Sequence, residues 1–443
     1  MNKLEQLRAG KLGGVTRLNL SCGLKTFPRE ILELGDTLEA LDLSGNDLSS
    51  LPDDLPRLHK LKILFCSNNP FTELPEVLGQ CAQLSMVGFR ANQLHTVSAA
   101  SLPPSLRWLI LTGNQLETLP AELGQCGQLQ KLMVAGNRLQ SLPAEMAACH
   151  RLELLRIAAN RFECLPDWLT ALPRLSWLSY SGNPVCESQE DEVLTHTPVP
   201  SIAWKYLQLL DKLGEGASGV IYRAIWREPG SPFDSPRDVA VKLFKGALTS
   251  DGLPLSEMAA CMQAGEHPNL IDVLGKISGH PDGAVGLVMA LVDASYVNLA
   301  GPPSLDSCTR DVYAADTTFS LATVARMAAG LSGVGQQLHA RGILHGDLYG
   351  HNILLREDGD ALLGDFGAAS LVDPQDLRRA QALQRLEVRA FGCLLQELLE
   401  RCDDASGNPT GGTLNDLANS CLQENVARRP LFADIHQVLS RLA

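Results

Sequence analysis

Ile343-Leu-His-Gly-Asp-Leu-Tyr-Gly-His-Asn-Ile-Leu-Leu355 is followed, after a short polar turn, by Gly364-Asp-Phe-Gly367. Two apolar runs, 343–344 and 353–355, bracket a polar loop, the pattern of two short buried strands that present side chains between them. In that loop Asp347 and Asn352 stand five apart, and Asp365 follows in a Gly-flanked turn. Phosphoryl transfer needs such a set: one carboxylate to accept the nucleophile's proton, and an amide with a second carboxylate for magnesium. His-x-Asp alone is a weak signal. The ensemble with Asn352 and Asp365 is a strong one.

Upstream, the partners of such a loop occur in order. Leu213-Gly-Glu-Gly-Ala-Ser-Gly-Val-Ile221 places three glycines between two alternating, strand-like flanks, so a strand–turn–strand can close over phosphates with its amides free to donate. A Rossmann fold uses the same Gly spacing, but there a helix follows. Asp238-Val-Ala-Val-Lys242 is an alternating strand with one inward Lys, and a buried ammonium demands anions. The stretch 254–264 reads as a helix carrying Glu257, and 286–292 as an apolar strand. A helix is predicted over 321–340.

Taken together, His-x-Asp-Leu-x-x-x-Asn, Asp-Phe-Gly, the Gly loop, Lys242 and Glu257 resemble the protein kinase family, as does the late Arg428-Arg-Pro-Leu-Phe. The resemblance covers about 207–443. It implies a bilobal α+β domain with ATP and Mg2+ as cofactors. Asp347 would be the catalytic base, with Lys242 and Glu257 as the phosphate-holding pair and Asn352 and Asp365 as metal ligands. Leu213, Gly214, Glu215, Gly216, Ala217, Ser218, Gly219, Val220 and Ile221, with Ala290 and Val292 of the hinge, would bind the nucleotide.

The chain also departs from that family. Gly346 replaces the Arg that usually precedes the catalytic Asp and holds a phosphorylated loop. Between Phe366 and Leu386 the only hydroxyl side chain is Ser370. Both absences point to an activity not switched by loop phosphorylation. The segment from Asp365 to Glu387 is short and lacks Ala-Pro-Glu, which leaves Arg429 without the family's usual Glu partner. Glu387 stands where the family usually carries Asp. Tyr349 takes the place of a Lys found in serine/threonine kinases, and losing such a contact typically costs about 10²–10³ in rate. The insert 293–318 has no readable role.

The first half repeats. Leu38-Glu-Ala-Leu-Asp-Leu-Ser-Gly-Asn-Asp-Leu48 returns at 106–116, and Asn recurs at 46, 69, 92, 114, 137, 160 and 183. These units resemble the leucine-rich repeat family, about eight of them, which implies an α/β solenoid, or horseshoe. Each short strand points Leu inward and cannot be buried alone, so neighbours must stack. The Asn residues are expected to satisfy turn backbone, and an irregular unit is expected near Val97-Ser98-Ala99. Strand positions facing away from the core include Ile63, Phe65, Met86, Trp108, Ile110, Met133, Leu154 and Trp177. Phe65, Trp108, Ile110, Met133 and Trp177 are the candidate surface for a protein partner.

The chain has 443 residues, 45% of them hydrophobic, and a net charge of −13, which argues against nucleic acid and anionic membranes as generic partners. Its twelve cysteines show no zinc spacing. With no signal-like start and no run of about 18 apolar residues, a cytoplasmic protein is expected. The expected division is a cap at 1–14, repeats at 15–187, a linker at 188–206 and the kinase-like domain at 207–443. The favoured reading is a protein serine/threonine kinase whose repeats recruit a partner or substrate. A nucleotide-binding pseudokinase scaffold and a small-molecule phosphotransferase of aminoglycoside-kinase type remain open beside it.

Overall fold

A computed structural model describes residues 2–216, 218–227, 236–246, 248–249, 251–404 and 407–442. They form two compact units, Met1–Leu175 with Asn183–Val185, and Ser176–Gly182 with Cys186–Ala443.

In the first unit, three-residue strands recur with each repeat, from Arg17–Asn19 to Leu154–Arg156, and pair in parallel register. The central residues Leu18, Leu41, Leu64, Val87, Leu109, Leu132 and Leu155 stack in line, none more than 5% exposed. Burying each such side chain stabilises by about 1.5–3 kcal/mol, and only the next repeat supplies the cover. The Asn ladder does what its position predicts. Asn137 Nδ2 donates to Leu111 O (3.0 Å) and Val134 O (2.9 Å), while Leu116 N donates to its Oδ1 (3.0 Å). A capping helix, Lys3–Arg8, opens the unit behind an Asn2/Glu5 capping box. In the unit expected to be irregular the 3₁₀ turn is Ala99–Ser101, three residues like Leu55–Arg57, against five in Glu76–Gln80 and Ala121–Gln125, so turn length alone does not set it apart.

The outward stripe is only partly open. Ile63, Phe65, Trp108, Ile110 and Met133 are half-buried, whereas Met86 and Leu154 are buried. Gly88 explains how Phe65 lies flat on the sheet, because a Cβ there would stand 2.6 Å from Phe65 Cδ1. Trp177 does not belong to this face. It is 1% exposed and packs inside the second unit, so its expected role as a partner contact is withdrawn.

The second unit begins where a linker was expected. Residues 188–196 complete the helix Pro184–His196, and Ser201–Ala203 is an edge strand pairing in parallel with Val273–Ser278. Acidic composition and prolines concealed a helix whose Cys186, Glu190 and Val193 are buried. The six-stranded sheet runs in the order Leu207–Glu215, Gly219–Trp226, Arg237–Phe244, Gly286–Ala290, Val273–Ser278, Ser201–Ala203. The helix Pro254–Ala264 accompanies it. Helices Leu321–Ala340, Leu377–Leu399, Pro409–Cys421 and Phe432–Leu439 build the rest. The helix containing Glu387 starts at Leu377, so the segment after Asp365 is shorter than the sequence alone suggested.

The insert 293–318 also has a place. Gly301 bridges Val312, Tyr313 OH donates to Glu397 Oε2 (3.2 Å), and the Arg401 guanidinium lies 4.0 Å from the Tyr313 ring centroid. Burial, then the charge of Asp311, pushes the Glu397 carboxyl up to about 7 from an ordinary 4.5. A carboxyl with a raised folded-state pKa binds its proton more tightly when folded. Its stabilising contribution is therefore full below pH 4.5 and is lost as pH rises through about 7. Glu397→Gln should remove that slope, raising stability at pH 8 by about 2–3 kcal/mol with little change at pH 4.5. Urea midpoints at the two pH values check this.

Candidate active site

The strand Arg237–Phe244 is central in its sheet, pairing Lys242 with Ile221 on one side and Leu287 on the other. Alternation turns Lys242 inward, where its side chain is 10% exposed and forms an ion pair with Glu257, itself 2% exposed. Burial pulls the Lys242 pKa down, but the charges of Glu257 and Asp365 and the Glu257 bond outweigh it, so the ammonium is held charged. A cavity of about 560 Å3 opens beside the pair. Gly216, Ser218, Gly219, Ile221, Leu287, Met289, Leu363 and Asp365 are among the residues that line it.

The other expected nucleotide contacts fall around this cavity rather than on its wall. Leu213 is 52% exposed, and Gly214 and Val220 lie on the two strands of the Gly-loop hairpin. Glu215 bonds Lys212 (2.8 Å) and also pairs with Lys245; these contacts hold its carboxyl down at about 2. Ala217 lies outside the described residues. Ala290 and Val292 line a second cavity, of about 250 Å3, which shares Leu270 and Ile271 with the first. The Ala290 N–H donates to Asp272 O (2.9 Å) and is not available to a nucleotide there.

The loop bearing Asp347 is cross-tied. Ile343–Leu344 pairs with Ser370–Leu371, and Ile353–Leu355 with Ala361–Leu363, the two short strands that the apolar runs predict. Asn352 Nδ2 donates to Asp347 O (2.9 Å) and to Asp347 Oδ2 (2.8 Å). His345 Nε2 donates to Gly364 O (2.9 Å), and Gly364 N donates to Asn352 O (3.0 Å), which fastens this loop to the turn bearing Asp365. Asp365 itself sits at φ +53 with its Oδ1 accepting from Gly367 N (3.1 Å). A non-glycine residue held in the left-handed region is strained backbone, and such strain concentrates at functional positions.

These donors fit a nucleotide with a hard cation. With its Nδ2 engaged, Asn352 offers Oδ1, an oxygen beside the Asp365 turn. Among the described residues no group of three or more His, Cys, Asp or Glu could hold a metal alone. A magnesium ion here would complete its shell from phosphate oxygens and water, as that ion commonly does.

Three further residues brace this region: Glu387 and Arg429 stood out in the sequence only as departures from the kinase pattern, and Asp311, inside the insert, gave no signal there. Glu387 Oε1 accepts from Gly346 N (2.6 Å) and Oε2 from His339 Nε2 (2.7 Å). Burial alone would raise the Glu387 pKa, but those bonds hold it low, so the carboxylate remains ionised under the loop. Asp311, from the insert, accepts from both His351 N (3.1 Å) and His351 Nδ1 (2.7 Å). Burial pulls the His351 imidazolium down, yet the Asp311 bond and the nearby Asp311, Asp347 and Asp365 charges raise it overall. Arg429, buried, donates to the carbonyls of Gln423 (2.9 Å) and Arg385 (3.0 Å).

A family profile described as protein tyrosine and serine/threonine kinase matches residues 207–393. Leucine-rich repeat profiles match 37–58, 60–81 and 127–185. Fibroblast growth factor receptor 1 of Xenopus laevis is 27% identical over 220 residues, covering 48% of this chain and 27% of the receptor. Tyrosine-protein kinase Abl of Drosophila melanogaster is 26% identical over 279 residues, covering 53% of this chain and 16% of that protein. Leucine-rich repeat and calponin homology domain-containing protein 1 of Mus musculus is 37% identical over 122 residues, covering 27% of this chain and 17% of that protein. The chain thus spans less than a third of the length of each of these relatives.

Proposed function

Because the chain carries leucine-rich repeats joined to a protein kinase domain, we propose that it is an ATP- and magnesium-dependent kinase acting on Ser or Thr of a protein recruited by the repeats. One observation carries this reading most: Lys242, Glu257 and Asp365 meet at one cavity beneath the Gly loop. ATP would supply the activated phosphoryl group. Lys242, kept charged by Glu257, would hold its phosphates, and Asn352 and Asp365 would hold the magnesium. Asp347, oriented by the Asn352 bond, would take the proton of the acceptor hydroxyl. Ser or Thr suits the short stretch between Asp365 and the helix at Leu377, which leaves little platform to seat a tyrosyl ring.

A second reading has its own support. Tyr349, at the place of the missing Lys, is 4% exposed and stacked on Trp177, so its own side chain brings no cation to that position. A nucleotide-binding scaffold would tolerate this. Purified chain with labelled ATP, magnesium and a cell lysate separates the readings, with phosphoamino-acid analysis of the product. Phosphoserine or phosphothreonine is expected. Phosphotyrosine would overturn the acceptor class, nucleotide binding without transfer would favour the scaffold, and a labelled metabolite would favour a small-molecule phosphotransferase.

For the repeats, the half-buried Phe65, Trp108, Ile110 and Met133 support a protein-binding face, with Lys131 Nζ 4.4 Å from the Trp108 ring centroid. Phe65→Ala with Trp108→Ala should weaken partner or substrate binding about 10-fold or more while leaving the melting temperature nearly unchanged. Equal binding by the double variant in a titration would remove the surface from consideration. No helix among the described residues is long and apolar enough to cross a membrane. All twelve cysteines are free thiols, which supports a reducing, cytoplasmic setting for this reading.

A further inference from the structure

Ser176–Gly182 is by sequence the eighth repeat strand, yet it clusters with the second unit, and its contacts there converge on the catalytic machinery. Trp177 stacks on Tyr349 with centroids 4.2 Å apart and planes 7° off parallel, and its Nε1 donates to Leu348 O (3.1 Å). Both partners follow Asp347 directly in the loop. Tyr180 N donates to Ser370 Oγ (2.9 Å) and its OH to Leu371 O (3.2 Å), just beyond the Asp365 turn. Ser179 Oγ donates to Asp251 O (2.5 Å), at the entry to the helix that carries Glu257. Glu190 accepts from Gly182 N (2.9 Å) and from Ser256 Oγ (2.8 Å), on that same helix. Arg389, two residues past Glu387, donates to Ser176 Oγ (3.1 Å).

The missing Arg now has a physical account. Gly346 sits at φ +71, and a Cβ there would stand 2.5 Å from Ala368 O and 2.7 Å from Leu178 O. No side chain fits at 346: Ala368 O gives the tightest contact, and Leu178 of this segment closes the space beside it. Ser370, the only hydroxyl after Asp365 in that stretch, is 1% exposed and engaged by Tyr180, so it is not presented for modification.

We propose that Ser176–Gly182 is a built-in strap that positions the catalytic loop, the segment after Asp365 and the Glu257 helix by fixed contacts. It takes the part that loop phosphorylation plays where an Arg precedes the catalytic Asp. Trp177 and Tyr180 are its positioning residues. The inference rests on the kinase reading above, since it concerns the loop that would perform the transfer. Three elements that must be in register at once are each tied to one seven-residue stretch, and small misplacements of reacting groups are costly in rate.

The test uses the full chain with Trp177→Leu and Tyr180→Phe, reading kcat, KM for ATP and amide hydrogen exchange. Expected are a kcat lower by about 10–100-fold, a KM for ATP within about twofold of wild type, and faster exchange at 346–352 or 368–372. Exchange over 321–340 should not change. Tyr180→Phe carries the test if Trp177→Leu does not fold, because it removes one hydroxyl and no volume. An unchanged kcat, or unchanged exchange around both loops, would overturn the strap. A raised kcat would overturn it too, marking the segment as a plug over the acceptor site. If wild type transfers nothing while the controls work, the kinase reading fails, and the exchange pattern alone then decides the strap.

Discussion

Asp347→Asn should abolish phosphoryl transfer, lowering the rate by about 10³-fold, while nucleotide with magnesium still raises the melting temperature. The substitution keeps size and shape. It removes the group proposed to accept the acceptor's proton, a role typically worth 10²–10⁴ in rate. Its cost to the fold is small, because Asp347 is only half-buried and the Asn352 bond to the Asp347 backbone carbonyl remains. The two readouts therefore separate. Residual transfer near the wild-type rate would show that another group takes the proton, and His351, held by Asp311 in the same loop, would be the next residue to replace.

The second large effect lies at Lys242. Replacing it with Met leaves the Glu257 carboxylate buried, with its cation gone. Breaking a buried pair by removing one partner typically costs about 3–5 kcal/mol. Lys242→Met should thus both end transfer and destabilise the second unit, seen as a lower urea midpoint. Adding Glu257→Leu should restore most of the stability, since a pair replaced by apolar groups is often neutral, and none of the activity. A Lys242→Met variant as stable as wild type would mean that Glu257 is protonated in the folded protein. The double variant distinguishes the stability role from the phosphate-holding role, because only the first is recoverable by removing both charges.

Much of the grouping at the candidate site was legible in the chain. The Asp347, Asn352 and Asp365 spacing is local, and short loops between short strands leave little freedom in where such side chains go. Lys242 could be read as inward because strand alternation is strict. The repeat ladder was legible for the same reason: each Asn serves the turn it belongs to and the turn of the preceding repeat, so its period is written along the chain. Two expectations failed where composition was asked to report on packing. The acidic stretch after Pro184 looked like a linker and is a helix, because one face of it is buried. Trp177 looked like its neighbour Trp108, since both occupy the same repeat position, and they ended in different environments.

By itself the sequence determined the two architectures and the polar groups that gather at the candidate site, through periodicity and spacing that act over a few residues. The tertiary structure alone decided that Trp177 lies on Tyr349, that Glu387 holds Gly346, and that Asp311 holds His351. Those pairs are separated by tens to more than a hundred residues. Whether such groups meet depends on how whole elements pack, and no local pattern of residue types records that.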